Sequence, residues 1–307
     1  MVGFIAVILS GAALLHLPIA TTGVDYSFGD RLFTATSAGT VTGLQVVDTA
    51  SGWTHFGQVV IMVLAQIGGF GLMAVSSVVA VALAGRLELR HRLATQAEVN
   101  LDGAANFRSV ILGVFKWSMG VEATVAAALF IGFAGIHGEP VGRAAWLGLF
   151  HAVTSFNNAG FALFSDNLVG FVDDPWISGV IATSIVLGGI GFPVLMELRR
   201  QYHFPKRWSL HTKITLLATG VLIVVGATAV LVLEWTNPST LGPMGVIDKV
   251  TAGVFQGITP RTAGFNTIDY GAMRESSILV TIVLMFIGGG SASTASGIKV
   301  TTFAVLG

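Results

Sequence analysis

The sequence predicts an all-α polytopic membrane protein built from tandem copies of one unit: a span, a short loop and a second span. Three observations carry this. Of the 307 residues, 53% are hydrophobic and only 10% charged, with a mean hydropathy of +0.79. Soluble domains carry about 25% charge, and the deficit here runs along the whole chain. Between apolar spans lie three segments too short to cross a bilayer, at 33–44, 149–161 and 254–265, each with an amphipathic run, a polar tip, a glycine and an apolar residue. Their glycines, Gly43, Gly160 and Gly264, recur at intervals of roughly 110 residues, the mark of a repeat architecture.

Repeat one covers 1–84. An apolar span over 2–20 leads through Asp25 and Asp30 to the first loop unit at 31–44. A second span follows at 59–84, through Gln66-Ile-Gly-Gly-Phe-Gly-Leu72, where glycines permit close helix contact. The run at 1–20 lacks the basic start of a cleavable signal peptide and reads as the first span. A hydrophilic connector at 85–108 holds Arg86, Glu88, Arg90, His91, Arg92, Glu98, Asp102 and Arg108.

Repeat two, 109–198, has a span at 110–136, Glu139, a loop unit at 144–161, and then Asp166, Asp173 and Asp174. Its second span is expected at 177–198 and carries Gly188-Gly-Ile-Gly-Phe-Pro193, an echo of Gly68-Gly-Phe-Gly71. The second connector, 199–213, holds Arg199, Arg200, Lys206, Arg207 and Lys213. Repeat three, 214–307, has a span at 214–233, a loop unit at 248–265 and an apolar stretch from 278.

Arg86, Arg90, Arg92 and Arg108, with the five basic residues of the second connector, make nine of the 16 Lys and Arg. Both connectors are therefore expected on the cytoplasmic side. The loop units then enter from outside, where Asp25, Asp30, Asp48, Glu139, Asp166, Asp173, Asp174, Glu234, Asp248, Asp269 and Glu275 lie. Those acids either concentrate cations at an entrance or simply solvate outer loops. Net charge is zero, so no nucleic acid or other strongly charged partner is implied. The absence of Cys removes disulfides and thiolate metal sites.

Irregular backbone at membrane depth survives only where protein buries it or where it lines water. A short helix breaking into Thr-Gly or Ala-Gly fits that condition. Glycine reaches positive φ and lets successive carbonyls aim one way, and a carbonyl ring replaces the hydration shell of a cation. The negative end of the short helix favours the same cation. One such loop alone reads as a packing turn; three at corresponding places read as a filter. His151 reads as a buried hydrogen-bonding residue, since no second ligand sits at helical spacing. Asn157 and Asn158 are expected to brace their loop. Arg261 is expected to turn away from a cation path, onto an outer acid or a backbone carbonyl.

At these residues the chain resembles the Trk/Ktr (HKT-like) superfamily of potassium transporters, in its Ktr B-type pore-subunit branch. Thr40-Val-Thr-Gly-Leu44, Asn157-Asn-Ala-Gly-Phe161 and Thr259-Pro-Arg-Thr-Ala-Gly-Phe-Asn-Thr267 match that family's first three filter motifs. The resemblance implies span–pore loop–span repeats arranged pseudo-fourfold around an ion pore. It implies a K⁺ filter of Thr40, Val41, Thr42 and Gly43, of Asn157, Asn158, Ala159 and Gly160, and of Thr262, Ala263 and Gly264. K⁺ would sit at the carbonyls of Thr42, Gly43, Ala159, Gly160, Ala263 and Gly264. It further implies multi-pass insertion in a plasma membrane (the bacterial inner membrane), a homodimer, and a cytoplasmic ring of nucleotide-binding regulatory (RCK-type) subunits docking on the two connectors. The transported ion is K⁺, Na⁺ is a second candidate, and no organic cofactor is called for.

Met285-Phe-Ile-Gly-Gly-Gly-Ser-Ala-Ser-Thr-Ala-Ser-Gly-Ile-Lys299 ends in a filter-like Thr-Ala-Ser-Gly, but only one span fits between it and Gly264. It resembles the family's intramembrane loop. Gly288, Gly289, Gly290, Ser291, Ser293, Thr294, Ser296 and Gly297 make a poor helix. The segment is read as a gate below the filter, with Lys299 anchoring or closing it; a tight Gly/Ser helix contact is the alternative. The family's fourth repeat is missing here, so three loops leave the ring open. The chain is accordingly expected to be truncated, a fragment, or completed by another chain, and its start also reads as short.

Two other functions are weaker. A secondary transporter of another cation or small solute would use broken helices, but usually shows inverted repeats, and these repeats run the same way. An enzyme would need a nucleophile–base pair or a His/Glu metal spacing; neither His-Glu-x-x-His nor Gly-x-Ser-x-Gly occurs.

Overall fold

The computed structural model describes residues 2–93 and 103–306, with side chains over 3–79, 108–304 and 306. Within them the elements are helices joined by turns and two isolated β-bridges. Helices α1 (Val2–Leu15), α2 (Phe28–Gly39) and α3 (His55–Leu93) come first. They are followed by α4 (Gly103–Ile131), α5 (Val141–Phe156), α6 (Pro175–Ile190) and α7 (Phe192–Gln201). The last group is α8 (Leu210–Glu234), α9 (Val246–Ile258), α10 (Glu275–Phe286) and α11 (Val300–Leu306).

Segments His55–Val79, Arg108–Ile136 and Leu210–Glu234 are long and apolar enough to cross a membrane. They carry large apolar side chains on the outside, such as Leu217 and Val232, each 71% exposed. In water such a surface is unfavourable; in lipid it is the expected one. By contrast α2, α5 and α9 have 12, 16 and 13 residues. At 1.5 Å per residue each falls short of a hydrocarbon core about 30 Å thick.

Local chemistry fixes where these helices begin. Ser27 and Asp30 close a capping box on α2, with Asp30 N donating to Ser27 Oγ (3.1 Å) and Ser27 N to Asp30 Oδ2 (2.9 Å). Asp174 caps α6 by accepting from Trp176 N and Ile177 N, and Pro175 takes the first turn, where its missing N–H is harmless. Glu197 of α7 accepts from Ser209 N and Ser209 Oγ, both at 2.6 Å, which ties α7 to the start of α8.

The apolar run 177–198 is not one straight helix: the chain breaks at Gly191, and α7 leaves α6 at 101°. Gly191 has φ +99°, open to glycine alone at low cost, and a Cβ there would stand 2.3 Å from Ser291 O. Smaller differences occur elsewhere. Helix α1 stops at Leu15, before a 3₁₀ turn at Pro18–Ala20, and α3 continues to Leu93, past the expected end at 84. The side chains of the first connector up to 107 lie outside the described residues. The last apolar stretch is interrupted: α10 ends at Phe286 and helix resumes only at Val300.

Phe150, Phe161, Phe255 and Phe265 are buried in one apolar cluster with Ala35, Ala38, Ala159 and Ala263. Each such ring contributes about 1.5–3 kcal/mol of burial. The cluster sits behind the short helices and their loops, so the largest core is also the backing of the site.

Candidate functional site

Helices α2, α5 and α9 end at Gly39, Phe156 and Ile258, just before the three loops. Two residues in each loop have positive φ, at matching positions: Val41 (58°) and Gly43 (81°), Asn158 (55°) and Gly160 (68°), Thr262 (71°) and Gly264 (78°). The residues between them, Thr42, Ala159 and Ala263, do not. A left-handed β-branched Val is rare and costs about 1–3 kcal/mol.

The first two loops close with the same pair of bonds. Val41 N donates to Ala38 O (3.1 Å) and Thr42 N to Ser37 O (2.8 Å). In the second loop Asn158 N donates to Ser155 O (3.1 Å) and Ala159 N to Thr154 O (2.8 Å). These satisfy the last helix carbonyls as a left-handed C-cap does. The third loop is tighter, with Ala263 N on Thr259 O at 3.0 Å.

The loops meet. A Cβ on Gly43 would lie 2.8 Å from Ala159 O, one on Gly160 2.7 Å from the Cα of Gly264, and one on Gly264 2.8 Å from the Cα of Gly160. Gly160 therefore stands between the other two. Above them is a cavity of about 720 Å³ lined by Thr42, Gly43, Asp166, Asn266 and Asp269 among others. Gln45 Nε2 reaches Gly160 O at 3.3 Å, and Asn167 Nδ2 reaches Gly264 O at 3.5 Å. Sequence reasoning missed both. For Gln45 a positional signal existed: it stands two residues after Gly43, as Asn266 does after Gly264.

The outer acids divide into two groups. Asp166 and Asp269 line the cavity. Glu234, expected to face outward, is fully buried and accepts from Arg274 N, Ser277 Oγ, Thr240 Oγ1 and Asn237 Nδ2. Asp174 is buried as a helix cap and bonds His137. These two hold loops together and belong to no exposed field. Asp48 ties the first loop to the second through Ser165 Oγ (2.6 Å). Burial acts to raise its carboxyl, but hydrogen bonds from Ser165, Ser51 and the Ala50 N–H outweigh that and hold it below the usual carboxylate range.

The expected braces are in place. His151 is fully buried, on Leu147 O through Nδ1 (2.8 Å), and its Nε2 accepts from Leu163 N (3.2 Å). Asn157 Nδ2 lies near Gln66 Oε1, Glu122 Oε1 and Val153 O. Asn158 Nδ2 donates to Thr294 Oγ1 at 2.7 Å, and Thr294 Oγ1 donates to Phe156 O at 3.0 Å. Arg261 is 7% exposed and turns to the backbone carbonyl of Gly288 (3.4 Å) and Thr219 Oγ1 (3.4 Å), with no acid paired to it among the described residues.

The irregular segment from Ile287 to Lys299 thus lies directly against the second and third loops. Its neck is closed by Gly288 N on Ile298 O (2.9 Å) and Val300 N on Gly289 O (2.9 Å). Its tip is pinned on the α6/α7 corner by Gly290 N on Gly189 O (2.7 Å), Thr294 N on Gly188 O (3.2 Å) and Phe192 N on Ala292 O (3.1 Å). Ser296 N donates to Thr262 Oγ1 (3.2 Å), and Lys299 Nζ to Ala295 O (2.6 Å). The unexpected break at Gly191 is what makes room for this segment.

Short helices and converging loops, held between membrane-crossing helices, define an all-α polytopic membrane protein. The particular family follows from its relatives. The family model described as TrkH, cation transport protein, matches residues 3–307. The chain is 46% identical over 305 residues to Ktr system potassium uptake protein B of Bacillus subtilis (strain 168), covering 99% of this chain and 68% of that protein. It is 39% identical to the protein of the same name from Vibrio alginolyticus, covering 99% and 67%. The crystal structure of the potassium transporter TrkH from Vibrio parahaemolyticus superposes with a TM-score of 0.71 at 18% identity, over 99% of this chain and 60% of that one. That structural likeness establishes the fold. The chain belongs to the TrkH cation transport protein family, a family of membrane transporters and not of enzymes. It spans about two thirds of the length of these curated relatives.

Proposed function

We propose that this protein takes up K⁺ across the plasma membrane through a channel-like pore whose filter is the backbone of the three loops. The observation that carries the reading is the matched pair of positive-φ residues in each loop, converging at Gly43, Gly160 and Gly264. Alternation between positive and negative φ turns successive carbonyls to one side, and carbonyls of Thr42, Gly43, Ala159, Gly160, Ala263 and Gly264 then replace water around a dehydrated cation. Gln45 and Asn167 hold the carbonyls of Gly160 and Gly264 until an ion arrives. Asp166 and Asp269 raise the cation concentration at the entrance. The transport step makes and breaks no covalent bond; ions run down their electrochemical gradient.

The segment Gly288, Gly289, Gly290, Ser291, Ser293, Thr294, Ser296, Gly297 and Lys299 is the gate under this filter. The protein would work with a regulatory partner: a homodimer on a cytoplasmic nucleotide-binding ring, docked through connectors 85–108 and 199–213. Na⁺ would act as a second, weaker permeant or a coupling ion.

Gly160→Ser tests the filter. Its Cβ would meet the Cα of Gly264 at 2.7 Å, so the ring must widen. The K⁺/Na⁺ permeability ratio, measured by ion flux in proteoliposomes, should fall at least about tenfold, since roughly 1.4 kcal/mol of differential binding is a factor of ten. An unchanged ratio in folded protein overturns the filter.

A further inference from the structure

Behind the second loop lies a polar cluster in which Glu122 has no role so far. Asn157 Nδ2 stands 2.8 Å from Gln66 Oε1, 3.1 Å from Glu122 Oε1 and 2.9 Å from Val153 O. Gln66 comes from α3, Glu122 from α4 and Asn157 from the end of α5, so three helices meet at one amide. Glu122 is 3% exposed, and its Oε2 has no hydrogen-bond partner among the described residues. Helix α3 approaches closely enough that a Cβ on Gly69 would stand 2.1 Å from Asn157 Oδ1. A cavity of about 240 Å³ adjoins the cluster, lined by Met62, Gln66, Met119, Glu122, Leu149 and Val153.

An ionisable residue inside a membrane span is costly, and it persists where it has a task and a partner. Helix packing alone does not call for one: the residues around this cavity are otherwise mostly apolar, and Leu or Met at position 122 would fill it. What Glu122 supplies is a buried acceptor beside Gln66 that takes a hydrogen bond from Asn157 Nδ2. Asn157 caps α5, and the left-handed turn at Asn158 and the carbonyls of Ala159 and Gly160 follow directly from it. Among the described residues the first loop has no counterpart: Thr40 holds the matching position and bonds to Thr36 O and Thr42 Oγ1, within its own loop unit.

We propose that Glu122 is a positioning residue for ion selection: through Asn157 it fixes the second loop, and so sets the K⁺/Na⁺ ratio without touching the ion. This rests on the filter reading above. The conservative and the truncating variants separate the role from mere packing. Glu122→Gln keeps an oxygen acceptor at the same place, and should hold the ratio within about twofold of the parent protein. Glu122→Leu fills the volume, removes the acceptor, and should lower the ratio about tenfold, as the loss of one buried hydrogen-bond partner implies. Asn157→Leu should lower it similarly, and the double variant Glu122→Leu/Asn157→Leu should add little, because both changes break one link.

Equal ratios in Glu122→Leu and the parent overturn the proposal, as do additive losses in the double variant. If Glu122→Leu does not fold, Glu122→Gln decides alone against Asn157→Leu: a ratio retained in the first and lost in the second supports the link, and a ratio retained in both overturns it. Gly160→Ser run in the same vesicles keeps the two readings apart. If it leaves the ratio unchanged, the filter has failed; if it lowers the ratio while Glu122→Leu does not, only the positioning role has failed.

Discussion

The three loops and the segment from Ile287 to Lys299 are both irregular backbone at membrane depth, yet they are held by different forces. The loops are backed by Phe150, Phe161, Phe255 and Phe265, all buried. Apolar backing of that kind can be given up only by exposing rings, at about 1.5–3 kcal/mol each. The segment has nothing larger than Thr between Gly288 and Gly297, so its burial removes little apolar surface. Hydrogen bonds hold it, at its neck and on the α6/α7 corner. Each is worth only about 0.5–1.5 kcal/mol net, and water can take its place. Apolar backing fits a part that must keep its shape, and exchangeable polar contacts fit a part that must let go.

The largest test of that contrast removes the weakly held part. Deleting residues 290–296 takes away every tip contact with Gly188, Gly189, Phe156 and Asn158 while leaving the loops' aromatic backing in place. K⁺ flux should rise by about tenfold or more, since even two of these lost contacts at roughly 1 kcal/mol each exceed a factor of ten, with the K⁺/Na⁺ ratio kept. Unchanged flux in correctly folded protein would show that the segment is a packing element and not a gate. Thr294→Val is milder. It keeps the shape but leaves Phe156 O and Asn158 Nδ2 without their partner, and Asn158 Oδ1 already has none among the described residues. Flux should rise about threefold to tenfold for roughly 1 kcal/mol of lost docking. A fall in the K⁺/Na⁺ ratio instead would mean that Thr294 serves the filter more than the gate.

The sequence carried the loops and not their surroundings, for a physical reason. A short amphipathic run ending in a polar tip and a glycine is a local pattern, so Gly43, Gly160 and Gly264 could be found by spacing. The interruption near Gly288–Gly297 was equally local, a run of residues that form helix poorly. Gly191-Phe-Pro193 also held a local signal, a flexible residue followed by a helix-starting proline. Hydropathy marks the run as one span, but it sums over direction and cannot register a 101° turn within it. Val41 gave no sign at all: nothing in a β-branched residue announces positive φ, which is imposed here by cap bonds to Ala38 and Ser37. Contacts such as Asn158 with Thr294 and Asn157 with Glu122 join residues on different repeats or helices, where periodicity is silent. Glu234 looked like an outer acid, since composition cannot tell a solvated carboxylate from one saturated by four donors.

Lys299 gives the finest test, because two of its possible effects point the same way. Its ammonium donates to Ala295 O at 2.6 Å, across the end of the segment. Removing it should loosen the segment, and removing a positive charge beside the proposed cation path should also favour K⁺. Lys299→Met keeps the packing of the stem and deletes only the ammonium. Flux should rise about twofold to fivefold, less than in Thr294→Val, for roughly 0.5–1 kcal/mol from one partly buried contact. Salt separates the two causes. A bare charge acting through water is screened once the Debye length shrinks to about 3 Å near 1 M salt, whereas a hydrogen bond at contact distance is not. An increase that persists at high ionic strength identifies Lys299 as an anchor of the segment. An increase that vanishes there would make it an electrostatic barrier, and the segment's polar contacts would then owe less to Lys299 than to Thr294 and the α6/α7 corner.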